Sequence, residues 1–252
     1  MAKPLQGRVA LITGGSRGLG RAMAISLAQD GATLVLAARD KEKLEETAQA
    51  VRAAGAPAAE PYVCDVASEQ DVEALCQQVT SKFGRVHVLI NNAGINVRKP
   101  IHEFSLAEWN RVMDTNLTSV FLMCRAFLPH MKGGGWGRII NLASIMSHVS
   151  IPGRTAYSAS KTALLGLTKA LALELASDGI TVVAISPGPF ATEMNKAFIE
   201  NPEINAQFLS KIPLGRWGRV DEVGALTKFL CSDEAGFITG TDILIDGGWC
   251  AQ

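Results

Sequence analysis

The chain has 252 residues, 48% of them hydrophobic, and its formal net charge at neutral pH is zero. This length and composition allow a single domain whose core needs no disulfide or structural metal. Because the charge is balanced and no block of lysines or arginines occurs, we expect neither nucleic acid nor an anionic membrane as a partner. A small-molecule partner fits this composition best.

The cysteines and histidines predict no metal site and no disulfide framework. The cysteines are odd in number, widely spaced and never in a C-x-x-C pattern, and the histidines show no metal-ligand spacing. The apolar run near the N-terminus is too short for a membrane helix and lacks a signal-peptide cleavage pattern. We therefore expect a cytoplasmic protein without a membrane segment.

Short aliphatic runs predict β-strands along the whole chain, at residues 8–13, 33–38, 61–64, 87–91, 137–143, 181–186 and 242–246. Their continuous apolarity is typical of a parallel sheet covered on both faces, and segments of helical periodicity separate them. Asp40, Ser68 and Ser105 are predicted to cap three of these helices. The pattern predicts a single-domain, Rossmann-type doubly wound α/β fold over residues 1–252, with a parallel sheet of about seven strands and ligands beyond their carboxyl ends.

The first predicted strand runs into a glycine-rich turn, T-G-G-S-R-G-L-G at residues 13–20, and then into a helix. Glycines there let main-chain N–H groups approach a pyrophosphate at the helix N-terminus. A glycine cluster alone is a weak signal, but the strand before it and the helix after it strengthen the interpretation. The predicted cofactor residues of this turn are Gly14, Ser16, Arg17, Gly18, Leu19 and Gly20.

The end of the second strand bears on the choice between NAD and NADP. Ala38 stands where an acidic side chain would bind the ribose hydroxyls of NAD. Arg39 follows it, and Arg17 lies in the glycine turn, so two guanidiniums can converge on a 2′-phosphate. NADP(H) is therefore favoured. The alternative is that Arg39 is only a surface residue and Asp40 only caps the next helix, which would leave the ribose pocket permissive toward both NADP(H) and NAD(H).

The third and fourth strands end in polar residues at the same sheet edge. Asp65 and Val66 follow the third strand, and Asn92 and Gly94 follow the fourth. We expect all four to line the adenine side of the cofactor cleft. The alternative is that they are ordinary turn residues.

Three residues predict carbonyl chemistry. Tyr157 and Lys161 lie four residues apart at the start of a helical segment, hence on one face, and Ser144 ends the fifth strand. Carbonyl reduction needs a proton donor for the developing alkoxide beside the nicotinamide, which a phenol can be. A cation at about 4 Å and an effective dielectric of about 20 contributes roughly 4 kcal/mol toward ionising that phenol. We therefore expect Lys161 to lower the pKa of Tyr157, and Ser144 to bind the substrate oxygen.

Two further segments carry hypotheses. Asn116 is an unfavourable residue for a helix interior, which predicts a local kink holding a water that relays protons between Lys161 and solvent. The alternative is a polar side chain satisfied by its neighbours.

Residues 187–213 form a connection too long for an ordinary loop. We predict a substrate lid there, and the alternative is a packed two-helix insertion without motion.

Along its whole length the sequence resembles the short-chain dehydrogenase/reductase family, through the glycine turn, N-N-A-G at 91–94, Y-S-A-S-K at 157–161, P-G at 187–188 and D-G-G at 246–248. The resemblance implies a catalytic tetrad, adenine contacts, a ribose contact and a nicotinamide border. It also implies a homotetramer, and the pairing of Arg17 with Arg39 is similar to NADP-preferring members. The implied catalytic tetrad is Asn116, Ser144, Tyr157 and Lys161. The implied adenine contacts are Asp65 and Val66, and the implied ribose contact is Asn92. The implied border of the nicotinamide is Pro187, Gly188, Phe190 and Thr192.

The segments at 95–104 and 216–223 are especially similar to gluconate 5-dehydrogenases and related sugar-acid reductases. For a sugar acid, a cation has to meet the carboxylate, and Arg98, Lys99 and Arg154 are the candidates. An apolar set in the same region would better suit a hydrophobic ketone, unless those side chains belong to the core. That set is Ile145, Met146, Val149, Ile151, Met194 and Phe198.

These patterns favour an NADP(H)-dependent oxidoreductase that interconverts a secondary alcohol and a ketone, such as a carbonyl reductase. A 3-oxoacyl-carrier-protein reductase would share its catalytic residues but would need a basic surface for an acidic carrier. A non-catalytic nucleotide-sensing scaffold is a third hypothesis. The complete set of Ser144, Tyr157 and Lys161 argues against it, since a sensor needs no proton donor.

Overall fold

The computed structural model describes residues 3–252, except for the side chain of Met194. Within this range the strands are β1 (Val9–Thr13), β2 (Thr33–Ala38), β3 (Ala59–Val63), β4 (Val88–Asn91), β5 (Gly137–Leu142), β6 (Ile180–Pro187) and β7 (Thr241–Ile245). They form one sheet in the order β3-β2-β1-β4-β5-β6-β7, and each neighbouring pair is parallel. The predicted doubly wound α/β fold is confirmed.

Strand β3 differs most from its predicted range, since it begins at Ala59 rather than at Pro61. The reason is pairing with β2, in which Ala59 lies opposite Leu34. Pro61 is tolerated inside this strand because β3 forms the edge of the sheet, where one side of the strand makes no ladder hydrogen bonds.

The central strands are apolar at nearly every position because both faces of the sheet are covered. Successive residues of a strand point to opposite faces, so Leu11 packs in one buried cluster while Ala10 and Ile12 pack in the other. In β4, Leu89 and Ile90 divide in the same way. Two cores, one on each face, hold the strand ends in fixed positions.

The helices form a layer on each face. They are α1 (Gly18–Gln29), α2 (Lys41–Ala53), α3 (Glu69–Phe83), α4 (Leu106–Met113), α5 (Ser119–Phe127), α6 (Thr155–Leu175), α7 (Lys196–Ile199), α8 (Pro202–Leu209) and α9 (Val220–Leu230). Buried residues of α1, α2 and α9 share one core cluster, and those of α3, α5 and α6 share the other. This is the layered arrangement that the alternation of strands and helices predicts.

The three predicted N-caps are confirmed. The side chain of Asp40 accepts a hydrogen bond from the main-chain N–H of Lys43, and Ser68 caps α3 in the same way. Ser105 forms a reciprocal capping box with Glu108 at the start of α4.

The long connection after β6 contains a short 3₁₀ turn (Glu193–Asn195) and the helices α7 and α8. Its aromatic residues stack on the body of the protein: the Phe208 ring centroid lies 5.2 Å from that of Trp217 and 5.9 Å from that of Trp249. Phe198 of α7 stacks on Phe208 in turn, at 5.5 Å. The segment is therefore a packed pair of short helices beside the carboxyl ends of the strands.

Among residues 3–252, no helix combines the length and the apolar character needed to cross a membrane.

Candidate active site

A cleft of about 820 Å³ opens at the carboxyl ends of β1 and β4, where the strand order reverses. This is the position at which doubly wound sheets bind ligands. Every residue predicted to contact the cofactor lines this cleft. They are Gly14, Ser16, Arg17, Gly18, Leu19, Gly20, Arg39, Asp65, Val66, Asn92, Gly94, Tyr157, Lys161, Pro187, Gly188, Phe190 and Thr192.

The glycine turn is built for close approach of a ligand. Gly14 has a φ of 63°, which favours glycine, and a Cβ on Gly20 would lie 2.3 Å from the carbonyl oxygen of Gly14. The Asn92 amide locks the turn by donating to the carbonyl oxygens of Thr13 at 2.8 Å and Gly14 at 3.1 Å. The turn therefore leaves bare main chain at the N-terminus of α1, a cradle that fits the pyrophosphate of a dinucleotide.

Charged side chains gather at the end of the cleft near the ends of β2 and β3. Arg39 lies 3.8 Å from the carboxylate of Asp65, and Arg17 lies 3.2 Å from that of Glu193. The position of Ala38 in the cleft wall is confirmed, so that β2 ends without an acidic side chain. Sequence reasoning missed Glu193, because no local pattern links it to a turn that lies 176 residues away in the chain.

The structure brings Ser144, Tyr157 and Lys161 together at the opposite end of the cleft. Ser144 follows β5, whereas Tyr157 and Lys161 stand one turn apart near the start of α6. Ser144 and Lys161 are buried, and Tyr157 is half-buried. The Lys161 Nζ atom donates a hydrogen bond to the carbonyl oxygen of Leu142 at 2.5 Å and lies 5.8 Å from the centroid of the Tyr157 ring.

Burial shifts the pKa values of Tyr157 and Lys161 in opposite directions. Burial raises the pKa of Tyr157, and three neighbours oppose it: a hydrogen bond with Ser144, then the charges of Arg154 and Arg98. The two arginines are therefore the cations that lower the pKa of the phenol, and the expected effect of Lys161 on Tyr157 stays a prediction. Burial also lowers the pKa of Lys161, to about 8, because a desolvated ammonium is penalised.

Asn116 is fully buried in a π-helical turn (Asp114–Thr118) between α4 and α5. Its Oδ1 accepts from the N–H of Ile95 at 2.8 Å, and its Nδ2 donates to the carbonyl oxygen of Ile95 and to Ser160, each at 3.0 Å. The predicted distortion of the helix is present, and the side chain is satisfied by its neighbours, as the alternative expected. The water relay stays a prediction.

The three candidate cations behave differently. Arg154 is nine-tenths buried beside Tyr157, and Arg98 lies close enough to act on both of them. Lys99 instead pairs with Glu108, with 2.6 Å between the charged atoms. Lys99 is therefore already paired within the protein, whereas no such pair is present for Arg154 among the residues that the structure describes, and the carboxylate role of all three cations stays a prediction.

The apolar candidates divide between the core and the surface. Met146 follows Ser144 closely, donates its N–H to the Ser144 hydroxyl at 3.1 Å, and packs against Ile145, Ile212 and Trp249. Ile145 is buried in that same cluster. The side chain of Met194 lies outside the described part of the chain.

Comparison with known proteins agrees with this geometry. The family described as enoyl-(acyl carrier protein) reductase matches residues 14–250. The chain is 38% identical over 244 residues to the 3-oxoacyl-[acyl-carrier-protein] reductase FabG of Haemophilus influenzae, which covers 97% of this chain and 98% of that protein. It is 36% identical over 244 residues to the gluconate 5-dehydrogenase of Gluconobacter oxydans, covering 97% and 95%.

Among solved structures, the Pseudomonas aeruginosa RhlG/NADP active-site complex superposes with a TM-score of 0.93 at 34% identity, covering 99% of this chain and 98% of that one. The fold and the cleft define a doubly wound oxidoreductase that acts on alcohol and carbonyl groups. The chain belongs to the short-chain dehydrogenase/reductase family.

Proposed function

We propose that the protein interconverts a secondary alcohol and a ketone by hydride transfer, with NADP(H) as cofactor and Tyr157 as the general acid and base. One observation carries this proposal: a phenol, a hydroxyl and a buried ammonium meet in the same cleft that begins at the glycine turn. That cleft is large enough for a dinucleotide and a small substrate side by side.

When bound, NADPH supplies the hydride that the carbonyl carbon receives. Tyr157 donates its phenolic proton to the carbonyl oxygen during reduction and takes a proton back from the alcohol during oxidation. Ser144 donates a hydrogen bond to the same oxygen and stabilises its developing negative charge. A phenol carries its proton at neutral pH, as a donor must, and burial raises the pKa of Tyr157 further.

Lys161 completes the constellation. Its ammonium already donates to Leu142 and has two further N–H donors, which can bind a ribose hydroxyl of the nicotinamide nucleotide. Gly94 lies between Lys161 and Asn116: a Cβ built on it would be 3.4 Å from the Lys161 Nζ and 3.3 Å from the Asn116 Oδ1. This proximity supports a relay in which a water held at the π-helical turn of Asn116 passes protons to Lys161.

The preference for NADP(H) over NAD(H) rests on charge. Arg17 and Arg39 flank the place where the adenosine ribose of a dinucleotide would lie, and Ala38 adds no carboxylate to repel a 2′-phosphate. RhlG, a structural relative, was solved with NADP in its active site. A lid role for residues 187–213 and a homotetrameric assembly stay predictions.

A second candidate is reduction of a 3-oxoacyl thioester on a carrier protein, because FabG relatives reach 38% identity. The thioester, which a methylene separates from the reacting carbonyl, is uncharged, however, and would leave the buried Arg154 Nη1 atom without a partner. We therefore favour a small carbonyl compound, with sugar acids suggested by the gluconate 5-dehydrogenase relative.

The test is consumption of NADPH with a panel of small ketones, oxo acids and 3-oxoacyl thioesters. Tyr157→Phe removes only the phenolic oxygen and should lower turnover by about 10²- to 10⁴-fold, while NADPH binding measured by fluorescence stays within about twofold of wild type, since no charge is lost.

The sequence offers a matched control, because Tyr62 is its one other tyrosine and lies in β3, away from the cleft. Tyr62→Phe should turn over like wild type. Full turnover by Tyr157→Phe would remove Tyr157 from the assigned role, and thioesters as the best substrates would favour the second candidate.

A further inference from the structure

Arg154 is a buried cation that lacks a partner within residues 3–252. It is 9% exposed, its Nη1 atom is buried without a hydrogen-bond partner, and no carboxylate among the described residues pairs with it. Its neighbour Lys99, by contrast, is paired with Glu108. A buried charge without a partner destabilises a fold, so an unpaired guanidinium at this position calls for a ligand.

A second guanidinium, that of Arg98, lies close enough to act on both Arg154 and the Tyr157 phenol. Arg98 acts on Arg154 as a like charge and, after burial, is the second cause of the lowered pKa of Arg154, which falls to about 10. The Arg98 guanidinium lies 4.2 Å from the centroid of the Phe198 ring in α7. That stacking engages the flat face of the guanidinium and leaves its N–H edge available for an anion. Two cations that repel each other would both be stabilised by an anion between them.

The position of Arg154 relative to Tyr157 limits how far that anion is from the reacting carbon. Arg154 immediately precedes α6, three residues before Tyr157, and its guanidinium lies close enough to the phenol to act on it as a charge. A substrate whose carbonyl oxygen meets Tyr157 and Ser144 can therefore reach Arg154 with a group only a few bonds away. A guanidinium binds a carboxylate through two parallel hydrogen bonds.

We propose that Arg154, together with Arg98, binds a carboxylate that the substrate carries a few bonds from its carbonyl carbon, so that the enzyme acts on oxo acids and the corresponding hydroxy acids. This inference rests on the proposed function, because it places the reacting carbonyl at Tyr157. It narrows the substrate class and argues against neutral ketones and thioesters.

The test measures binding of ketones to the protein saturated with NADP⁺, a combination in which no reduction can occur. Each probe is compared with a neutral compound in which a hydroxymethyl group replaces the carboxylate, or a hydroxyl group replaces the phosphate. The pairs are 5-oxogluconate with sorbose, acetoacetate with 4-hydroxybutan-2-one, and dihydroxyacetone phosphate with dihydroxyacetone. The wild-type protein should bind at least one carboxylate about tenfold or more tightly than its neutral partner.

Variants assign that preference to the arginines. Arg154→Gln and Arg98→Gln should each reduce the carboxylate preference by about tenfold or more, and Arg154→Lys should restore part of it because the charge is kept. Lys99→Gln is the matched control: it removes a neighbouring charge that Glu108 already neutralises, and the preference should persist. Arg154→Met should also raise the thermal unfolding midpoint, whereas a residue with a structural role would lower it.

Equal binding within both carboxylate pairs, or a preference that survives Arg154→Gln, would overturn the inference. A stronger preference for the phosphate than for either carboxylate would overturn the assignment of a carboxylate. Failure of the proposed function looks different. In that case none of the ketones would support consumption of NADPH, even if carboxylates bind at Arg154.

Discussion

Glu193 forms an ion pair with Arg17, the arginine of the glycine turn, across 3.2 Å. Glu193 opens the 3₁₀ turn after β6, and its carboxylate also lies 3.8 Å from Lys43. Both partners are more than half exposed, so the pair is weak and screened by water. A 2′-phosphate that needs Arg17 therefore competes with Glu193 for the same cation.

Removing that competition should tighten NADPH binding. We expect Glu193→Gln to raise the affinity for NADPH by about two- to fivefold, the range that weak surface pairs allow, with little change for NADH. Fluorescence titration at low and high salt measures this, and the gain should shrink as salt screens the charges. Glu200→Gln is the control, because it removes an exposed carboxylate of the same segment that pairs with Lys196. Weaker NADPH binding by Glu193→Gln would show that Glu193 assists the cofactor.

Arg39 should distinguish the two cofactors more strongly. Its guanidinium follows β2 and makes only a long contact to Asp65, at 3.8 Å. Loss of a charged hydrogen bond to a 2′-phosphate costs about 1.5–3 kcal/mol, so Arg39→Ala should weaken NADPH about 10- to 150-fold and NADH by about twofold at most. Lys41→Ala makes the same charge change two residues further on, in α2, and serves as the control. Equal losses for both cofactors would contradict the 2′-phosphate assignment.

Local signals in the sequence were sufficient for the fold and for one wall of the site. Each strand appears as an aliphatic run because both faces of the sheet are buried, and the caps of α2, α3 and α4 follow from side chains that hydrogen-bond within three residues. The glycine turn was equally visible, since strand, turn and helix adjoin in the chain. The cofactor cleft therefore follows from interactions of short range.

Interactions between distant residues were not predictable in this way. Arg98, Lys99 and Arg154 look alike in the sequence, and only the packing of α4 shows that Lys99 is neutralised while Arg154 is not. The expected influence of Lys161 on Tyr157 assumed a single cation near the phenol. The direction of the Tyr157 pKa shift depends on the burial of the phenol and on the positions of Ser144, Arg154 and Arg98 around it. Neither can be read from spacing in the sequence.

Asn116 should be important for stability as well as for turnover. Its amide is the partner of both main-chain groups of Ile95 and of the Ser160 hydroxyl. Each buried polar group left without a partner costs about 1–3 kcal/mol, so Asn116→Ala should lower the free energy of unfolding by roughly 2–4 kcal/mol. Urea unfolding checks this. A loss of turnover in Asn116→Ala without a loss of stability would contradict a role in holding Ile95.

The lowered pKa of His87 predicts that the stability of the folded protein falls at acidic pH. It precedes β4, and its Nδ1 accepts a hydrogen bond from the N–H of Val9 at 3.0 Å, which only the unprotonated nitrogen can do. Burial, followed by the charges of Arg85 and Arg8, lowers the pKa of His87 from 6.5 to about 4. Between these values the unfolded chain binds a proton that the folded protein does not. Stability contributed by neutral His87 is therefore present above pH 6.5 and is lost as the pH falls toward 4.

The size of this effect is about 2–3 kcal/mol, from 1.36 kcal/mol for each pKa unit with allowance for partial exposure. We expect His87→Asn, whose amide oxygen can accept from Val9 but does not titrate, to lose less stability than wild type between pH 6.5 and pH 4. Urea unfolding at a series of pH values measures both proteins, and carboxylates that titrate in the same range cancel in the difference. Parallel curves of unfolding free energy against pH for the two proteins would mean that His87 titrates normally in the folded state. Curves that converge as the pH is lowered would assign the acid sensitivity to the His87 imidazole.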